Sequence, residues 1–110
     1  MPAEVMHVVL FKWKSDAHPD AIAAAVQGLR GLREKIDGIL ELSCGGNFSV
    51  RSQGFHTGLV VRLRDRAALD AYGPHPAHQD VVNGLVAPIR EDIIVVDYDL
   101  DAPGFPPSRE

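Results

Sequence analysis

The chain has one cysteine, Cys44, so no disulfide can form within it, and a lone thiol suits a reducing cytosol. It has no cluster of basic residues. Fifteen acids against eleven bases leave a net charge of −4, which argues against nucleic acid or an anionic membrane as partner. No apolar run approaches the ~20 residues that a membrane span needs. Nor do charged, apolar and cleavable segments follow Met1 in the order of a secretory signal, so a cytoplasmic location is expected. The glycine pair in Gly45-Gly46-Asn47 lacks the spacing and the lysine of a phosphate loop, and no long helix follows it. What is present is ordinary for a globular protein: 110 residues, 45% hydrophobic and 24% charged, enough for one domain with a core.

Glu4–Lys14 (EVMHVVLFKWK) is rich in β-branched and aromatic residues and contains no turn former, which predicts a strand. Val9, Phe11 and Trp13 share one parity and Met6, Val8 and Leu10 the other, so both faces of this strand call for a cover. His7 has the parity of Val9 and Phe11 and points into a buried layer, either as a core histidine or as part of a pocket wall. After a Ser15–His18 cap, Pro19 fits a first helical position. Ile22, Ala25, Val26, Leu29, Leu32 and Ile36 then repeat at helical spacing until Asp37-Gly38. Gly28 and Gly31 weaken that helix by ~1 kcal/mol each, and close packing on a sheet is the expected reason for them.

Ile39–Cys44 reads as a second strand and Phe55–Arg64 as a third, with Leu59, Val61 and Leu63 on one face and His56 near the exposed edge. Asp65 is an N-cap for a short helix over Arg66–Tyr72. A proline turn follows, with His75 as cap and Pro76 opening a second short helix whose apolar face is Val81, Val82, Leu85 and Val86. Ile93–Asp99 is the last strand, and residues 101–110 form a Pro/Gly-rich tail, either frayed or an arm on a partner subunit. The order β-α-β-β-α-β is that of an α+β, ferredoxin-like protomer in residues 1–100. The first and last strands are apolar on both faces, and the chain has no segment left to cover the second face. A homodimer through the open sheet face, two sheets forming an α/β barrel, is therefore expected.

The chemistry-bearing stretch is Tyr72-Gly73-Pro74-His75-Pro76-Ala77-His78. In one regular helix Tyr72 and His78 would lie about 240° apart at ~100° per residue, but the two prolines break the helix, and a turn can bring the side chains together. The pair then has two readings. In one, His78 is a general base and Tyr72 holds or protonates the developing oxyanion, in a dry slot lined by Val9, Phe11, Leu59, Val61, Val82 and Val86. In the other, His75 caps a helix, His78 bonds a backbone carbonyl and Tyr72 is packed with its hydroxyl satisfied. His75, His78 and Asp80 offer two or three metal ligands, short of the usual zinc set, and no metal is expected. Ser49 and Cys44 form no nucleophile–base arrangement.

Four segments carry a family resemblance: His7 opening HVVLFKW, Gly46-Asn47-Phe48-Ser49, Gly54-Phe55, and Tyr72-x-x-His75-Pro76-x-His78. On these the chain resembles the stress-responsive dimeric α/β-barrel (Dabb) family over about its first hundred residues. The resemblance implies a homodimer of ferredoxin-like protomers with no established activity, and a pocket for a small hydrophobic or keto-acid ligand is the expectation carried with it. A plant relative of that fold, olivetolic acid cyclase, closes a polyketide by aldol condensation without a cofactor. Likeness to it implies His78 as base and Tyr72 as its partner, with His7 and His75 at the pocket, and no cofactor. The chain departs from that relative at Thr57, where the cyclase has a histidine. His56, one residue earlier, faces the other side of its strand and is no substitute. Ala25 and Val26 stand where the cyclase has adjacent phenylalanines, which implies a differently shaped pocket.

Overall fold

The computed structural model describes residues 2–105. Strand β1 (Val5–Trp13) lies at the centre of a four-stranded antiparallel sheet with β2 (Ile39–Gly46), β3 (Thr57–Leu63) and β4 (Arg90–Asp99), in the order β2-β3-β1-β4. Helix α1 (Pro19–Arg30) follows β1. Two short helices, α2 (Arg66–Tyr72) and α3 (Pro76–Val81), lie between β3 and β4. This is the ferredoxin-like α+β arrangement.

Register decides which side chains meet. Val9 stands between Leu59 of β3 and Val95 of β4, and Phe11 between Thr57 and Ile93. Because the side-chain period of a strand is two, the odd positions of β1, β3 and β4 all point to the helix side. There Val9, Phe11, Trp13, Leu59, Val61 and Leu63 join Leu42 and Cys44 of β2 and Ala25 and Leu29 of α1 in one core. Trp13 is both packed and satisfied: its ring stacks on Phe11, and Nε1 donates to Thr57 Oγ1 at 2.8 Å.

Helix α1 begins as the caps dictate, with the His18 ring accepting from Asp20 N and Pro19 at the first turn. It ends earlier than the apolar stripe suggests. The chain tightens into a 3-10 turn at Gly31–Glu34, which still delivers Leu32 and Ile36 to the core. The glycines of α1 require a correction. A Cβ on Gly28 would stand 2.7 Å from Leu85 Cδ1 and 3.3 Å from Val81 Cγ1, so its bareness accommodates the α3 region rather than the sheet. A Cβ on Gly31 would meet nothing, and packing does not explain that residue. Gly38 has φ +95, and a Cβ there would meet Ala68 Cβ at 2.8 Å, so the turn into β2 needs glycine on both counts.

Strand β4 starts three residues before the expected Ile93, because a bulge between Lys12 and Trp13 lets Asp92 and Arg90 continue the pairing with β1. Strand β3 is shorter than expected. Phe55 is buried ahead of it and His56 is exposed, its Nδ1 accepting from Trp13 N at 3.1 Å. Among the described residues nothing covers the outer face of the sheet: Ile94, Val96 and Tyr98 are 43%, 47% and 47% exposed. The tail turns back beside this face, with Ala102 N donating to Asp99 O and Phe105 exposed. Residues 106–110 of the tail lie outside the described residues.

Candidate functional site

Helix α2 is set by its cap, Asp65 Oδ1 accepting from Ala68 N at 2.8 Å, and it closes on Tyr72. The turn Gly73–His75 then redirects the chain, and His75 restarts it by capping α3 through Nδ1, which accepts from Ala77 N at 3.0 Å. The break has a geometric result. Tyr72 and His78, which one helix would turn apart, hold their ring centroids 4.5 Å apart.

The His78 ring is oriented by the turn itself. Its Nδ1 lies 2.8 Å from Gly73 O, and since a carbonyl only accepts, Nδ1 carries the hydrogen. In the neutral ring that leaves the lone pair on Nε2, which has no hydrogen-bond partner among the described residues. Burial lowers the pKa of His78 below its ordinary value. The Gly73 carbonyl works in the opposite direction, and the neighbouring His7 and His75 add to the lowering. The imidazole is therefore neutral at pH 7.

Tyr72 is 2% exposed, and its hydroxyl is the one buried side-chain polar atom without a partner among the described residues. Burial, reinforced by Cys44, pushes its pKa up to about 12, so it is a neutral O–H donor. An unmade hydrogen bond of this kind costs about 1–3 kcal/mol. His7 packs edge-on against the same phenol, with centroids 5.5 Å apart, and donates from Nδ1 to Asp97 Oδ1 at 2.5 Å.

These groups open into a cavity of about 220 Å³ between the sheet and the helices. Tyr72, His78, His7 and Arg90 are the polar residues among those that line it. Val9, Phe11 and Leu59 from the sheet and Val82 and Val86 from the turn after α3 form much of the apolar wall. Two of the residues expected there lie elsewhere. Val61 is completely buried in the core and does not reach the wall, because the cavity follows the β1–β4 side of the sheet rather than its centre. His75 is consumed as the α3 cap and does not line the cavity. Leu29, Arg90, Ile93 and Val95 complete the wall, and Asp97 stands behind His7. The four of these on β4 are not legible as site residues without the pairing of that strand. A larger, open concavity around Trp13, His56 and Thr57 has its indole N–H already bonded and brings no acid–base pair together.

Among the described residues, no three His, Cys, Asp or Glu side chains come together as a metal site, so His75, His78 and Asp80 do not converge. Cys44 is buried with its thiol pKa raised by that burial. No helix among the described residues is long and apolar enough to cross a membrane.

A four-stranded antiparallel sheet with helices on one face, the ferredoxin-like arrangement, defines the class of this protein. Residues 5–100 match the Stress responsive A/B Barrel Domain, and the chain belongs to that family. It is 33% identical over 98 residues to a stress-response A/B barrel domain-containing protein of Arabidopsis thaliana, covering 88% of this chain and 37% of that protein. The chain thus spans little more than a third of that relative's length. Among solved structures, it superposes on a dimeric ferredoxin-like protein of unknown function from Jannaschia sp. CCS1. The TM-score is 0.74 and the identity 33%, covering 88% of this chain and 99% of that one. It also superposes on the hydroxynitrile lyase of Passiflora edulis, with a TM-score of 0.82, 20% identity and coverage of 96% and 100%, a likeness of fold alone.

Proposed function

We propose that this protein is a homodimeric small-ligand-binding domain whose ligand occupies the cavity at Tyr72 and His78. One observation carries this reading: Tyr72 lines the cavity, and its buried hydroxyl has no partner among the described residues. A buried donor kept unsatisfied is costly, and a ligand oxygen is the partner that removes the cost. The apolar wall suits a small hydrophobic body, and the donor suits a carbonyl or hydroxyl on it. The open sheet face, with Ile94, Val96 and Tyr98 exposed, supports dimerisation through that face, and the dimeric character of the Jannaschia protein supports a dimer as such. A single buried cysteine is in keeping with a cytoplasmic location.

A second reading, a cofactor-independent lyase or cyclase, is favoured by the arrangement of His78. With Nδ1–H held by Gly73 O, Nε2 is left as a neutral base beside the phenol. His78 would remove an acidic proton next to a carbonyl, and Tyr72 O–H would donate to the enolate or alkoxide oxygen as charge develops there. The experiment is a panel of β-keto thioesters and acids, read for binding and for turnover in wild type, Tyr72→Phe and His78→Ala. Binding without turnover, lost in Tyr72→Phe, supports the first reading. Turnover lost in both folded variants supports the second. No binding by any member would sink both.

A further inference from the structure

The ligand's chemical class is written in the one permanent charge of the cavity wall. Arg90 lines the cavity half-buried and, among the described residues, has no hydrogen-bond or ion-pair partner. Other arginines show what is unusual here. Arg62, Arg64 and Arg66 are paired with Glu4, Asp37 and Asp99, and Arg30 donates to Cys44 O. Arg33 and Arg51 are exposed, where water serves a guanidinium. Arg90 is the half-buried one left unpaired among the described residues, on the wall of a largely apolar chamber. Among the described residues no carboxylate lines that chamber, and the nearby Asp97 is engaged by His7.

We infer, resting on the reading of the cavity as a ligand site, that Arg90 is a specificity residue. It receives the carboxylate of a keto acid whose carbonyl reaches Tyr72 and His78. A guanidinium is the side chain best matched to a carboxylate, because its planar fork binds both oxygens. The two ends of the site lie apart along the sheet. Arg90 is paired with Trp13 of β1, while His7 is six residues earlier on the same strand, a backbone separation of roughly 20 Å at ~3.4 Å per residue before the side chains reach inward. The acid and the carbonyl are therefore separated by several methylene groups, which Val9, Phe11 and Ile93 cover. A straight-chain acid with a ketone near its far end meets these requirements.

The test uses 7-oxooctanoate, its methyl ester and octanoate as probes of the 110-residue chain. Binding is followed by calorimetry and by the imidazole resonances of His7 and His78. The acid is expected to bind about tenfold or more tightly than the ester, the size of a charge-assisted contact. Arg90→Gln should abolish that preference by weakening the acid alone, and Arg90→Lys should restore part of it; circular dichroism confirms that both variants fold. An acid preference that survives in Arg90→Gln, or its absence in wild type while the probes still bind, overturns the role of Arg90. The preference for 7-oxooctanoate over octanoate, and its loss in Tyr72→Phe, reports separately on the underlying site. If no probe moves the His78 resonances, the cavity reading fails and the carboxylate inference falls with it.

Discussion

Asp97 of β4 and His7 of β1 stand directly opposite each other in register, and the carboxylate accepts from the imidazole Nδ1 at 2.5 Å. The contact anchors a row of rings, His7 edge-on to Tyr72 and Tyr72 tilted against His78, whose Nδ1 donates to Gly73 O. Both ends of the row are held by backbone geometry, one by strand pairing and the other by the proline turn. The phenol between them is left without a partner among the described residues.

Removing the carboxylate tests that anchor. Asp97 is 43% exposed, so Asp97→Ala is expected to cost no more than about 1 kcal/mol of stability. The effect should fall on the ring instead. Nitrogen-detected NMR should find the hydrogen on Nδ1 of His7 in the wild type and a loss of that preference in the variant. An unchanged pattern would mean that the carboxylate does not set the orientation.

The unpartnered phenol makes an unusual prediction about stability. Tyr72→Phe keeps the packing and deletes the hydroxyl that has no partner. In urea the ligand-free variant should be as stable as wild type or more stable, by up to about 1–2 kcal/mol, while ligand affinity falls. A destabilisation of that size would reveal a partner for the hydroxyl and a structural role for it.

His78 should titrate below 6.5, because burial lowers its pKa in the folded protein. Between the folded and the unfolded values the unfolded chain binds more protons, so stability rises with pH across that window. The contribution is complete above about 6.5, the unfolded value, and is lost as pH falls through the lower folded value. Urea midpoints measured from pH 7.5 downward should slope accordingly, and His78→Gln should flatten the slope. A midpoint at or above 6.5 in an NMR titration would contradict the burial argument.

Dimerisation through the sheet face predicts a monomer on adding charge there. Val96 is 47% exposed and points away from the helices, so Val96→Asp should cost the protomer little. Light scattering after size exclusion should give about half the wild-type mass, with the far-ultraviolet spectrum retained. A dimer that survives the substitution places the interface elsewhere.

How much of this is legible in the chain follows from the range of each interaction. The alternation of β1, the apolar stripe of α1, the Asp65 cap and the His75-Pro76 restart are local patterns, and they stand in the structure at the residues that carry them. The two prolines announce that Tyr72 and His78 need not be separated by a helix; the distance between their rings comes only with the turn's geometry. Gly28 reads as a bare spot on a helix, but its neighbours Val81 and Leu85 are more than fifty residues away along the chain, and no local pattern names them. Asp97, Arg90 and Val95 are of the same kind. They read as ordinary residues of a final strand until pairing with β1 sets one against His7 and turns the other two into the cavity. Composition, periodicity and caps therefore determined the elements and their order. The cross-strand register decided which side chains share the site and which, like Val61 and His75, are taken up by the core or by a cap. Register is a contest among long-range pairings, settled by the burial of the whole face at once, and so it belongs to the tertiary structure alone.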